Sequence, residues 1–145
     1  MTLRLRSGQV EPIWLNERDI RAIHGEIIAE SGGDAGVLNE GALESTLNKP
    51  QNLAGYDPDA TIYNLAAAYG YGLVKNHCFI DGNKRIALIA VYTYLQINGI
   101  ELTASEVDAV TCFLELAASL EPQDICVVKL AQWCEANSVK FSIDC

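Results

Sequence analysis

The nine residues His77-Cys78-Phe79-Ile80-Asp81-Gly82-Asn83-Lys84-Arg85 contain nearly every residue type that handles a phosphate ester. Imidazole takes up and releases a proton near neutral pH, which suits His77 to accept the proton of an attacking hydroxyl. Asp81 offers a hard carboxylate for a magnesium ion that bridges phosphate oxygens. Lys84 and Arg85 neutralise phosphate charge, the arginine by a bidentate fork and the lysine as a mobile point charge. Gly82 lets the backbone approach a ligand closely. A helix that starts near Asn83 turns unpaired N–H groups and the positive end of its dipole toward the same loop, which makes an anion site. Taken singly, these residues are ordinary: a histidine at a helix end, an Asp-Gly-Asn turn, a solvated first turn. Their joint spacing points to the handling of a phosphate ester. The two cations, set against the helix dipole, themselves argue for an anion nearby.

The elements that would position this segment are helices. Asn16 reads as an N-cap with Glu17 and Asp19 in the first turn, and Ile20, Ile23, Ile27 and Ile28 share one apolar face until Gly32-Gly33 stops it. A second, shorter helix is expected from about Glu40 to Asn48, with Leu43 and Leu47 on one face and Pro50 ending it. Gln51 to Asp57 then reads as an exposed loop or flap. Asp57-Pro58 is expected to open a third helix, with Ile62, Leu65, Ala66, Tyr69 and Leu73 buried, that ends near Asn76. Lys84 to Asn98 is apolar on all sides, which predicts the central helix of the bundle, closed by Gly99. Thr103-x-x-Glu106 reads as a capping box for a fifth helix to about Ala118, and Pro122 starts a last one to Asn137. Residues 3 to 15 are alternating or β-prone around Ser7-Gly8, which predicts a short N-terminal β-hairpin or an extended arm. The expected fold class is all-α, an irregular bundle of about six helices.

At 145 residues, half of them hydrophobic, the chain is expected to form a single domain over residues 1–145. No apolar run approaches the roughly 18 to 20 residues of a membrane span, and the first residues lack a signal peptide's pattern. A soluble cytoplasmic protein with no membrane partner is therefore expected. The five cysteines are odd in number and never spaced as C-x-x-C, so reduced thiols are expected rather than disulfides or a zinc cage. Cys112, Cys126 and Cys134 lie among apolar residues, where a thiol behaves as a small hydrophobe. The net charge of -9 repels polyanions, so the chain is not expected to bind nucleic acid. Three of its ten basic residues, Lys75, Lys84 and Arg85, fall within eleven positions, a local cluster that suits a small phosphate ligand.

The nine-residue segment resembles the motif of the Fic/Doc family: His, any residue, Phe, any residue, an acid, Gly or Ala, Asn, Gly or Lys, and Arg. Every specified position matches. Ile20 to Gln51, with His24, Gly32-Gly33, Gly36 and Glu40-Gly41-x-Leu43-Glu44-x-x-Leu47, is similar to the N-terminal half of the death-on-curing (Doc) branch. Roughly residues 12 to 137 can be laid along that branch. The resemblance implies a Fic-type bundle with His77 catalytic, Asp81 holding Mg2+, and Gly82, Asn83, Lys84 and Arg85 binding ATP. Lys84 stands where adenylylating members carry Gly and Doc members carry Lys. The implication is a reversed nucleotide, transfer of phosphate rather than AMP, and elongation factor Tu as target. Gly82 departs from the Ala of the best-known Doc toxin, and Cys78 stands where many members have Pro. Two other readings are carried beside this one. One is adenylyl transfer to a protein hydroxyl. The other is an inactive Fic-fold binding module, against which the intact His77, Asp81, Asn83 and Arg85 argue. Many Fic enzymes restrain themselves with a helix reading Ser or Thr, three residues, Glu, then Gly or Asn. The nearest string, Thr111 to Glu115, is followed by Leu116 and reads as structural, so a separate antitoxin is implied, a disordered segment folding into a groove.

Overall fold

A computed structural model describes residues 11–141. Six helices are present among the described residues: α1 (Glu17–Ser31), α2 (Glu40–Tyr56), α3 (Ile62–Lys75), α4 (Asn83–Ile97), α5 (Glu106–Ala118) and α6 (Gln123–Ala136). Two three-residue strands, β1 (Ile100–Leu102) and β2 (Ser138–Lys140), pair antiparallel with Ile100 opposite Lys140. The all-α bundle is thus as expected, with the motif loop between α3 and α4.

The caps decide where the helices start. Asn16 accepts the Asp19 N–H at 2.9 Å, and α1 ends at Gly32, whose φ of 81° is open to glycine and whose N–H returns to the Ile28 carbonyl. The expected end of α2 at Asn48 and the loop over 51–57 are both corrected, because the helix runs through Pro50 to Tyr56. Pro50 is buried with Leu43, Thr46 and Leu47, and Leu53 and Ala54 beyond it pack on the core. That apolar contact outweighs the one intrahelical hydrogen bond a proline removes. The expected start of α3 at Asp57-Pro58 is corrected too. Asp57 forms a turn, accepting the Asp59 N–H, and a reciprocal Thr61/Asn64 capping box starts the helix. Likewise Ser105, not Thr103, caps α5, while Thr103 gives its N–H and hydroxyl to the Asn137 carbonyl.

The central helix is α3 rather than α4. Ten of the fourteen residues of α3 are buried, against six of fifteen in α4, where Ile89 is exposed. Small residues on α3 let its neighbours close in. A Cβ on Gly70 would lie 2.8 Å from Val91 and 2.9 Å from Leu130, and one on Gly72 would lie 2.6 Å from Thr46. Of the expected N-terminal hairpin, residues 3–10 lie outside the described residues, and residues 11–16 hold no strand. They are instead pinned to the core: the Leu15 N–H donates to the Tyr69 hydroxyl, and Trp14 stacks on Tyr94. Cys126 and Cys134 are buried and Cys112 half-buried, and burial pushes the thiols of Cys112 and Cys134 up to about 11 and about 12. No helix among the described residues is long and apolar enough to cross a membrane.

Candidate functional site

The loop from Asn76 to Gly82 opens onto a groove of about 500 Å³ that gathers all six residues singled out by sequence: His77, Asp81, Gly82, Asn83, Lys84 and Arg85. His77 is exposed there and is the one non-glycine residue with positive φ (48°) among the described residues. Such a backbone is costly for a residue with a Cβ, so its surroundings must enforce it.

Two elements hold the loop. From α1, the fully buried His24 places Nε2 2.7 Å from the Asp81 carbonyl oxygen and stacks its ring on Phe79 at a centroid separation of 3.8 Å. Because a carbonyl only accepts, Nε2 carries the proton. The segment joining α1 to α2 runs alongside as a strap. The Leu38 and Asn39 N–H groups donate to the Cys78 carbonyl, and the Ile80 N–H donates to Gly36. The Asp34 N–H donates to Asp81 Oδ2 at 2.8 Å, which leaves the other carboxylate oxygen without a partner among the described residues.

Gly82 is the N-cap of α4, with φ 80°. A Cβ there would meet Ile28 at 3.2 Å and His24 Nε2 at 3.4 Å. A left-handed turn pressed against α1 thus explains this glycine, where the sequence suggested ligand approach. Asn83 spends its amide on the loop: Oδ1 accepts the Phe79 N–H at 3.1 Å and Nδ2 donates to the Phe79 carbonyl at 2.9 Å. Its side chain braces Phe79, and its backbone N–H is what remains for a ligand. No side chain caps α4, and the first N–H to find a partner is that of Ile86, on Gly82. The N–H groups of Asn83, Lys84 and Arg85 therefore form an open donor end. Lys84 and Arg85 are exposed and make no ion pair among the described residues. Lys75, the third cation of the cluster, donates to the Ala117 and Ser119 carbonyls and ties α3 to the end of α5. The arrangement offers a proton acceptor, one carboxylate oxygen, two cations and a helix N-terminus on one groove, the parts needed to hold and transfer a phosphate group.

Sequence reasoning reached His24 only through the family resemblance and did not reach Asp34 or Thr46. A signal existed for His24, which lies four residues from both Ile20 and Ile28 on a buried face, where an imidazole must find a partner. Thr46, between Leu43 and Leu47, carried none. Thr111 and Glu115 line a different groove, between α5 and α6 beside Trp133.

Residues 14–95 match the family described as "Fic/DOC family", more than half of the chain and all of the motif loop. "Toxin Doc" of Mycolicibacterium smegmatis is 39% identical over 74 residues, covering 50% of this chain and 57% of that protein. "Protein kinase doc" of Escherichia phage P1 is 26% identical over 88 residues, covering 61% of this chain and 70% of that protein. The match thus spans little more than half the length of the first of these relatives. With the motif complete, its residues gathered on one groove and the family match running from Trp14 through most of α4, the chain belongs to the Fic/DOC family.

Proposed function

We propose that the chain is a Doc-like toxin that transfers the γ-phosphate of ATP to a hydroxyl of a target protein, elongation factor Tu, and so inhibits translation in the cytoplasm. The observation that carries this reading is the single groove shared by His77, Asp81, Lys84, Arg85 and the uncapped start of α4. The names of the two relatives, a toxin and a protein kinase, support it. Lys84 supports phosphate over AMP through the resemblance alone, since Doc members carry Lys where adenylylating members carry Gly.

The residues fit a magnesium ion. Asp81 is exposed at the groove, one carboxylate oxygen is fixed by Asp34, and the other would hold the metal. Bound there, magnesium supplies charge neutralisation on the phosphates. The open N–H groups of α4, with Lys84 and Arg85, bind and orient the phosphate chain. His77 takes the proton of the target hydroxyl as that oxygen bonds to the γ-phosphorus. The bond from this phosphorus to the β–γ bridging oxygen breaks, and ADP leaves. A separate antitoxin restrains the enzyme.

Incubation of the protein with purified elongation factor Tu and either α- or γ-labelled ATP tests the proposal. Label should enter from the γ position alone, with the mass of one phosphate on the target. Incorporation of the α label would mean adenylyl transfer, and incorporation of neither would favour the binding-module reading.

A further inference from the structure

We propose that Thr46 of α2 is a positioning residue for His77: its one hydroxyl, shared by Asn76 and Cys78, holds the turn that aims the imidazole into the groove. The inference rests on the base role given to His77 above. The turn at residue 77 is left-handed, and among the described residues the imidazole makes no hydrogen bond that would stabilise it. Enforcement has to come from the residues on either side. Both meet the same atom. Asn76 Nδ2 donates to Thr46 Oγ1 at 2.8 Å, and Cys78 Sγ lies 3.6 Å from that oxygen. A hydroxyl has one proton and two lone pairs, so it can accept from the Asn76 amide and donate to the sulfur at once.

Thr46 is itself fixed. It is 2% exposed, one of two buried polar residues among those described, and its methyl sits where a Cβ on Gly72 would be only 2.6 Å away. The absence of a side chain at Gly72 brings α2 close enough to the end of α3 for the hydroxyl to reach both partners. The far ends of the turn are held separately, by the Asn76 N–H on Gly72 and the Cys78 carbonyl on the strap. Thr46 therefore ties the side chains on both flanks of His77 to one atom of α2, in addition to these backbone anchors. A base displaced by about 1 Å loses on the order of 10²-fold in rate, while phosphate binding at the start of α4 is unaffected.

Thr46→Val keeps the shape and removes the hydroxyl, Thr46→Ser keeps the hydroxyl, and Asn76→Ala removes one partner at an exposed site. Two readouts are taken on each full-length protein: the His77 imidazole resonances in long-range proton–nitrogen spectra, and γ-phosphate transfer to elongation factor Tu alongside ATP affinity. In Thr46→Val and Asn76→Ala the His77 resonances should shift or split, and transfer should fall about 10²-fold, with ATP affinity within about twofold. Thr46→Ser should restore the wild-type spectrum and most of the rate. Wild-type His77 resonances in a folded Thr46→Val or in Asn76→Ala would overturn the inference, as would a Thr46→Ser protein no better than Thr46→Val. If Thr46→Val does not fold, Asn76→Ala decides alone. Absence of transfer by the wild-type protein would refute the proposed function and not this inference, which the resonances still test.

Discussion

Replacing His24 by Phe keeps a flat ring against Phe79 but removes the donor that lies 2.7 Å from the Asp81 carbonyl oxygen. A buried acceptor left without a partner costs about 1–3 kcal/mol, and exposure of Asp81 lets water offset part of that, so about 1 kcal/mol is expected. The larger ring also presses on Gly82, where the imidazole already lies 3.4 Å from a notional Cβ, and overpacking of this kind adds about 1 kcal/mol. The sum of about 2 kcal/mol corresponds to a fall of about 6 °C in Tm for a domain of this size. His24→Ala removes the stack as well and leaves a cavity, for a total of about 4 kcal/mol. Urea denaturation of the three proteins gives the differences, and γ-phosphate transfer measured on the same samples reports whether the loop kept its shape. A Phe variant within about 0.5 kcal/mol of wild type and equally active would show the contact with Asp81 to be idle. An Ala variant no worse than the Phe variant would say the same of the stack.

His77→Ala should lower transfer by about 10²- to 10⁴-fold with ATP affinity and Tm nearly unchanged, and a rate near wild type would remove the residue from the mechanism. Asp81→Asn keeps an oxygen for the Asp34 N–H and removes the charge, so ATP titrations should lose their magnesium dependence while the fold is retained; identical titrations for the two proteins would return Asp81 to a turn residue. Lys84→Gly should lower phosphate transfer sharply and open a route to AMP transfer, since the donor end of α4 and Arg85 remain; mass spectrometry of the target distinguishes the products. Burial pushes the Tyr69 phenol up to about 12, so the folded state resists an ionisation that the unfolded chain undergoes near pH 10. The Tyr69 contribution is complete below about pH 10 and is lost as the pH rises toward 12, and those of the buried Cys112 and Cys134 thiols begin to go about one pH unit earlier, so urea midpoints should start to fall above about pH 8 and fall more steeply above about pH 10.

The placement of the motif residues was the most legible part of the site because they are contiguous: His77 to Arg85 lie in one loop and one first turn, which α1 and the strap hold against one groove. Helix starts were legible where a single strong cap stood alone, as at Asn16. They were misread where two candidates competed. Asp57-Pro58 lost to Thr61 with Asn64 because Asp57 closes α2 and turns onto Asp59, and Thr103 lost to Ser105 because a tertiary bond to Asn137 claims it. Pro50 misled for a related reason: its local penalty is readable in the sequence, whereas its burial beside Thr46 is not. The strands β1 and β2 are three residues each and separated by two helices, too short for alternation to register. Asn83 shows the limit within the motif itself. Its residue type says that it forms hydrogen bonds, and only the fold says that Phe79 takes them.

The strap between α1 and α2 has a further consequence, for the native ensemble rather than for the site at rest. Four hydrogen bonds join it to the motif loop, and the partners of one of them, Asp34 and Asp81, lie 47 residues apart in sequence. Segments so distant in the chain come apart only where the packing of α1 and α2 on α3 and α4 is lost, at a free energy no greater than that of complete unfolding. In the opened fraction His77 and Asp81 lose their common frame even though α3 and α4 stay folded. A substitution deep in the seam between the helix pairs, remote from every groove residue, then acts by changing how much of the population is catalytically assembled, so specific activity should track the opening equilibrium rather than global stability.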